Sequence, residues 1–185
     1  RLDFLNTHQD YKGLPVVAVG INLRTYIAIS KSQGEFVVAS GNLRDEGVKY
    51  IDRFSLSDLK LIGGKWFGDY ARALVMAFMR HGYSVGPFKA WIRSNVPIAS
   101  GLGSSGTLLV ALASAINAIN GFNLDRKAIA EIAYEAEHDV MGIPCGRLDQ
   151  YAAAFGDIVV IETKSPYNVE VLPRLNGVFL VVDTG

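Results

Sequence analysis

Residues 97–106 read Pro97-Ile98-Ala99-Ser100-Gly101-Leu102-Gly103-Ser104-Ser105-Gly106, three glycines and three serines without a charge. Upstream, Phe88, Ala90 and Ile92 alternate with Lys89, Trp91 and Arg93, the two-residue period of a half-buried strand. Downstream, Leu108, Ala111, Leu112, Ala115 and Ile119 recur at helical spacing between Thr107 and Asn120. A strand that feeds a glycine-rich turn and becomes a helix brings free backbone N–H groups, and the partial positive charge of a helix N-terminus, to the end of the strand. Such a turn binds an anion without a basic side chain. It is not a Walker loop, because no Lys-Ser or Lys-Thr pair follows the glycines, and it is not a dinucleotide fingerprint. The plain alternative is a tight turn with Ser104 as helix cap.

Composition sets the frame around this stretch. The chain has 185 residues, enough for one domain with a real core, and half of them are hydrophobic. Eighteen Lys plus Arg offset eighteen Asp plus Glu, so neither nucleic acid nor an anionic membrane is expected as partner, and any anionic ligand must be held locally. The one cysteine, Cys145, forms no internal disulfide or cysteine metal cluster and points to a reducing cytoplasm. Ser94 to Leu124 carries no charge, but Pro97 and the glycines leave an apolar run near a dozen residues, too short for a bilayer. The chain reads as a fragment cut at both ends.

Outward from the loop, Leu14–Ser40 is rich in Val, Ile, Thr and Tyr and predicts two or three strands. Trp66–Met79 predicts an amphipathic helix. Asp125 caps a further helix with the stripe Ile129, Ile132, Ala133, Ala136 and Val140, and a short helix over Leu148–Phe155 precedes strands near 158–161, 169–172 and 178–182. Strands, then helices, then strands predict an α+β domain with a mixed sheet and packed helices rather than a doubly wound fold.

Two carboxylates stand out beside the loop. The helix that follows Asp125 starts with Arg126 and Lys127 and ends with Glu135, Glu137 and Asp139, the reverse of what its dipole favours. Broken local rules of this kind mark sites. Spacing leaves Glu137 and Asp139 on opposite edges of the apolar stripe, and a solvated acidic end is the plain reading of both. Asp149 opens the short helix after Gly142, Pro144 and Gly146, where capping is its plain role. A phosphate-type loop with two carboxylates is the minimum set for phosphoryl transfer: one for Mg²⁺, one for the nucleophile. The polar start Arg1-Leu-Asp-Phe-Leu-Asn-Thr-His-Gln-Asp-Tyr11, placed before the first strand, offers His8, Asp10 and Tyr11 to a polyhydroxy ligand, or is simply a solvated loop.

These stretches together resemble the GHMP small-molecule kinases, and within them the galactokinases. Arg1–Tyr11 is similar to Gly-Arg-Val-Asn-Leu-Ile-Gly-Glu-His-Thr-Asp-Tyr at Arg1, Leu5, His8, Asp10 and Tyr11. Pro97–Gly106 resembles a proline followed by Gly-Leu-Gly-Ser-Ser-Ala, with Gly106 in place of alanine, and Ala136–Gln150 resembles the stretch with the magnesium glutamate and the catalytic aspartate. The resemblance implies the family's N-terminal domain over 1–185, a fold shared with a ribosomal protein domain, without the ferredoxin-like C-terminal domain. It implies ATP and Mg²⁺ as cofactors, with Pro97, Gly101, Leu102, Gly103, Ser104, Ser105 and Gly106 cradling the triphosphate and Trp66 near the adenine. Ser105 and Glu137 would hold the metal. Asp149 would accept or orient the proton of the anomeric hydroxyl, with Arg1 beside it and the γ-phosphate, and His8, Asp10, Tyr11 and Gly146 would line the sugar. Thr7 stands where galactokinases carry a sugar-contacting glutamate, so the expected substrate is galactose with a related heptose or amino sugar behind it. The rivals are an inactive sugar and ATP sensor that binds a regulator and, against the neutral charge, an RNA-binding module.

Overall fold

A computed structural model describes residues 1–6, 8–174 and 177–182. Thr7 therefore lies outside the described residues. Strands β1 (Leu2–Leu5), β2 (Val16–Val19), β3 (Thr25–Lys31) and β4 (Phe36–Ser40) lead to helix α1 (Gly41–Asp45) and strand β5 (Ile51–Phe54). Helix α2 (Asp69–Arg80), strand β6 (Phe88–Ser94) and helices α3 (Ser104–Asn120), α4 (Arg126–Glu135) and α5 (Leu148–Phe155) follow, with strands β7 (Ile158–Ile161) and β8 (Val169–Leu172) after them.

The strands divide between two sheets rather than one. One is antiparallel throughout in the order β1-β2-β7-β8; the other, β3-β6-β4-β5, is mixed, because β4 and β6 run parallel. Gly20, whose N–H donates to the Asp157 carbonyl at 2.6 Å, turns the chain from β2 of the first sheet toward β3 of the second. Alternation does what the sequence predicts along β6: Phe88, Ala90 and Ile92 are buried while Lys89, Trp91 and Arg93 face out. Against these inner faces pack the fully buried Leu74 and Phe78 of α2 and Leu109, Leu112 and Ile116 of α3. A second core joins Val16 and Ala18 of β2 and Val159 and Ile161 of β7 to Tyr151 and Ala152 of α5. The uncharged α3 packs on β3 of the second sheet and against α4 and α5, so a charge on it would be taken out of water.

Four expectations are corrected. The chain start is not a loop ahead of the first strand, for Leu2–Leu5 pairs with β2. Helix α2 begins three residues after Trp66, because Asp69 turns its carboxylate back onto the N–H groups of Ile62 and Gly63 at 2.8 and 2.7 Å and holds the preceding residues in a turn. The helix that carries Glu137 ends at Glu135, and Ala136–Val140 forms a π turn closed by Met141 N–H on the Ala136 carbonyl at 3.0 Å. The segment 178–182 pairs with no strand: Val178 and Leu180 are 99% and 87% exposed, since apolar alternation forms a strand only where a neighbour supplies backbone partners. Asp125 does cap α4, accepting from Ala128 N–H at 2.8 Å. Among the described residues no helix is long and apolar enough to cross a membrane.

One buried ion pair anchors the loop that carries Trp66. Arg72 of α2 donates to Asp52 of β5 through Nε (2.8 Å) and Nη2 (3.1 Å), and to the carbonyls of Arg53 and Lys60 at 3.0 and 3.1 Å. Both side chains are 5% exposed or less, so removing one leaves the other charged and unpaired. Arg72→Leu is expected to cost about 3–5 kcal/mol in denaturant unfolding; a loss below about 1 kcal/mol would show that water reaches the pair.

Candidate active site

Three segments distant in sequence meet at Arg1. Its Nε donates to Asp149 Oδ1 at 2.6 Å and its Nη2 donates to the same oxygen, while Nη1 donates to the Gly101 carbonyl at 2.8 Å. Its backbone nitrogen donates to the Leu102 carbonyl at 2.9 Å, and Asp3 lies 3.2 Å from Nη1. Arg1 therefore ties the glycine loop to the first turn of α5. Asp149 Oδ2 takes no hydrogen bond among the described residues and faces Gly103, whose added Cβ would sit 3.3 Å from it.

The loop is shaped for close approach. Gly101 and Gly103 have φ of 73°, the left-handed region, and Gly103 rather than Ser104 is the N-cap of α3. No side chain caps that terminus, so the first-turn amides from Ser104 onward are left for a ligand. Gly106 lies against Asp149: a Cβ there would come within 2.6 Å of the Asp149 Cβ.

The structure separates Glu137 from Asp139. The π turn directs Glu137 inward, where it is 4% exposed, and leaves Asp139 outside, paired with His138 at 2.6 Å. π turns of this kind recur at functional positions. Burial pushes the Glu137 carboxyl above the ordinary glutamate value; the Ser105 hydroxyl opposes this, Asp149 adds to it, and the Gln150 amide opposes it. Gln150, wholly buried, donates to Glu137 Oε2 at 2.6 Å. Its own Oε1 is buried with no partner among the described residues. Sequence reasoning missed Gln150 and Asp3, because a lone uncharged amide and one acid in a polar stretch carry no periodic or charge signal.

The remaining candidates divide. Asp10 accepts from the Leu148 N–H at 3.3 Å, and Gly146 is pressed against its carboxylate, so Asp10, Gly146 and Asp149 form one cluster. Asp149 is not the cap of α5; Arg147 is the N-cap, and Asp10 serves that terminus from another part of the chain. His8 and Tyr11 stand exposed nearby in sequence, ring centroids 6.4 Å apart, and make no side-chain hydrogen bond or ion pair among the described residues. Trp66 packs on Phe67 and under Lys49, its indole N–H buried without a partner, and makes no hydrogen bond, ion pair or ring contact with the loop or the carboxylates. Pro97 accepts from the Ser100 hydroxyl at 2.8 Å and so shapes the entry to the loop. Burial pushes the Cys145 thiol up to about 12, which leaves it protonated and inert.

Residues 69–157 match the family described as GHMP kinases N terminal domain. The chain is 33% identical over 156 residues to the galactokinase of Thermotoga maritima, an alignment that covers 84% of this chain and 42% of that one. The chain spans about half or less of the length of the curated relatives it matches. Its fold superimposes on Lactococcus lactis galactokinase, solved in complex with galactose, with a TM-score of 0.82 at 23% identity, covering 90% of this chain and 43% of that one. The D-glycero-D-manno-heptose 1-phosphate kinase of Bacteroides thetaiotaomicron follows with a TM-score of 0.71 at 24% identity, covering 91% and 53%. Identities this low speak for the fold alone.

Two outcomes follow from this geometry. Gly106→Ala gains up to about 1 kcal/mol of helix propensity but forces α5 away, and overpacking costs about 1–3 kcal/mol; the variant is expected to unfold at lower denaturant, and equal or higher stability would show that α5 yields freely. Because the folded-state pKa of Glu137 lies above its unfolded value, the group opposes folding increasingly as pH rises from the ordinary 4.5 through the folded value. Glu137→Gln is therefore expected to be more stable than the parent above that window in the absence of metal, with the difference shrinking toward pH 4.5; a constant difference would contradict the burial argument.

Proposed function

We propose, from the match of residues 69–157 to the GHMP kinases N terminal domain and the likeness to galactokinases, that the protein transfers the γ-phosphoryl group of ATP to the anomeric hydroxyl of a monosaccharide, galactose first. The observation that carries this reading is the unequal treatment of the two Asp149 oxygens. Arg1 occupies Oδ1 and leaves Oδ2 toward the glycine loop. That is the placement of a group that receives or orients a hydroxyl proton while the triphosphate lies on the α3 amides.

The residues fit the expected cofactors. Among the described residues no cluster of three His, Cys, Asp or Glu side chains exists to cage a metal. Mg²⁺ needs none, since it keeps waters and phosphate oxygens and takes one or two protein ligands. Glu137, the adjacent Ser105 hydroxyl and the unpartnered Gln150 Oε1 offer hard oxygen donors beside the loop. Bound there, Mg²⁺ would supply positive charge to the phosphate oxygens. The chain's own part is positional: Gly101, Leu102, Gly103, Ser104, Ser105 and Gly106 present amides and hydroxyls to the phosphates, and Arg1 compensates charge between loop and acceptor. Asp149 accepts the hydroxyl proton as the O–P bond forms, and ADP leaves with the negative charge. Asp10 and Gly146 line the sugar side, with His8 and Tyr11 at its rim, and Trp66 with its free indole N–H serves the adenine.

The test is the intact protein with ATP, Mg²⁺ and a panel of hexoses, heptoses and amino sugars. Sugar-dependent ADP release is expected, greatest with galactose; release with a heptose alone would move the substrate, and none with any sugar would replace the kinase by the sensor. Asp149→Asn is expected to lower the turnover number by at least about 10²-fold with nucleotide binding intact. Glu137→Gln should instead raise the Mg²⁺ needed for half activity and recover in excess metal. Metal rescue of the Asp149 variant only would reverse the two assignments.

A further inference from the structure

The first turn of α5, which holds Asp149, is closed by a ring of side chains that the phosphoryl-transfer machinery does not itself include. Arg147 is the N-cap, and its carbonyl accepts the first helical hydrogen bond from Tyr151 N–H at 3.1 Å. The Tyr151 hydroxyl donates to Glu131 Oε1 of α4, and Arg147 Nε donates to both oxygens of the same carboxylate at 2.9 and 3.1 Å. The path Arg147 backbone, Tyr151 backbone, Tyr151 hydroxyl, Glu131, Arg147 side chain is closed. Asp149 lies midway in sequence between Arg147 and Tyr151, in the turn that the path closes.

The guanidinium is also held from both faces. Its central carbon is 3.9 Å from the ring centroid of Tyr134 on α4 and 3.9 Å from that of Tyr167 in the β7–β8 connection. Tyr167 has a φ of 56°, a conformation that a bulky residue keeps only where its surroundings over-determine it. Stacking on a fixed cation is such a surrounding. Burial, and next the Glu131 contact, push the Tyr151 hydroxyl far up, so it remains a donor.

We infer that Arg147 is a positioning residue: by locking α5's first turn to α4 and to the β7–β8 connection, it fixes Asp149 in the register that lets Arg1 take Oδ1 and leaves Oδ2 free. The inference rests on the role given to Asp149 above. A planar cation is required, because a lysine ammonium does not stack against two rings while bonding Glu131. Displacements of about an ångström at a reacting group cost up to about 10²-fold in rate while leaving substrate binding in place.

The experiment uses the intact protein with Arg147→Met, Arg147→Lys and Tyr151→Phe, the last removing one hydroxyl with the fold retained. Arg147→Met is expected to lower kcat by about 10- to 10²-fold with KM for ATP and sugar within about two-fold. Tyr151→Phe should lower kcat by about 3- to 10-fold, and Arg147→Lys should not restore the parent rate. In parallel, the Arg1 Nε–H proton, sheltered by its bond to Asp149, should exchange faster with solvent in Arg147→Met and Tyr151→Phe. Unchanged kcat and unchanged exchange in Tyr151→Phe, or full activity in Arg147→Lys, would overturn the inference. Should the parent transfer no phosphoryl group, the kinase reading fails in that arm by itself, and the Arg1 exchange rate alone decides whether the ring positions Asp149.

Discussion

One arginine joins the parts of this domain that chemistry requires together. Arg1 reaches across 148 positions to Asp149 and across 100 to the Gly101 carbonyl, so β1, the glycine loop and α5 share a single guanidinium. The contact demands that α3 and α5 lie almost in touch, which they do at Gly106. It also demands that the loop turn its carbonyls toward Arg1, which frees the opposite, N–H side of the α3 terminus. The core under α3 and the core under α5 set the distance between these two helices, and the loop opens into α3.

The same region carries the domain's electrostatic tension. Glu137 is buried beside another carboxylate at a helix end, where the dipole already disfavours negative charge. Among the described residues the Gln150 amide and the Ser105 hydroxyl ease it, and Gln150 keeps an acceptor without a partner there. A protein selected for stability alone would replace such a pair with apolar side chains. The tension is consistent with the metal-binding role proposed for Glu137.

Much of this was legible in the chain itself. The period change at residues 97–107 marks the strand, turn and helix, and the reversed charge order of the helix after Asp125 marks Glu137 as an anomaly. The ranges of α5 and β7 follow from apolar runs beside Gly146 and Gly156, and that of β8 from a short apolar run ended by Pro173. What stayed hidden depends on partners remote in sequence. The choice between Glu137 and Asp139 is made by a π turn that inserts one residue into the helical period. The role of Gly106 depends on the approach of α5, Asp10 serves a helix terminus 138 positions away, and Arg147 reads as one more charged residue until Glu131, Tyr134 and Tyr167 close around it. The apolar run 178–182 shows the converse: its pattern predicts a strand, but pattern alone supplies no neighbour.

The central claim is that Arg1 holds one oxygen of Asp149 so that the other meets the acceptor hydroxyl. A crystal structure of the intact protein with a non-hydrolysable ATP analogue, Mg²⁺ and galactose measures this directly. The account predicts the anomeric oxygen about 2.6–3.2 Å from Asp149 Oδ2, with Arg1 still on Oδ1 and the phosphates on the amides of Ser104–Gly106. An anomeric oxygen beyond hydrogen-bond reach of Asp149, or phosphates seated away from that loop, would contradict it.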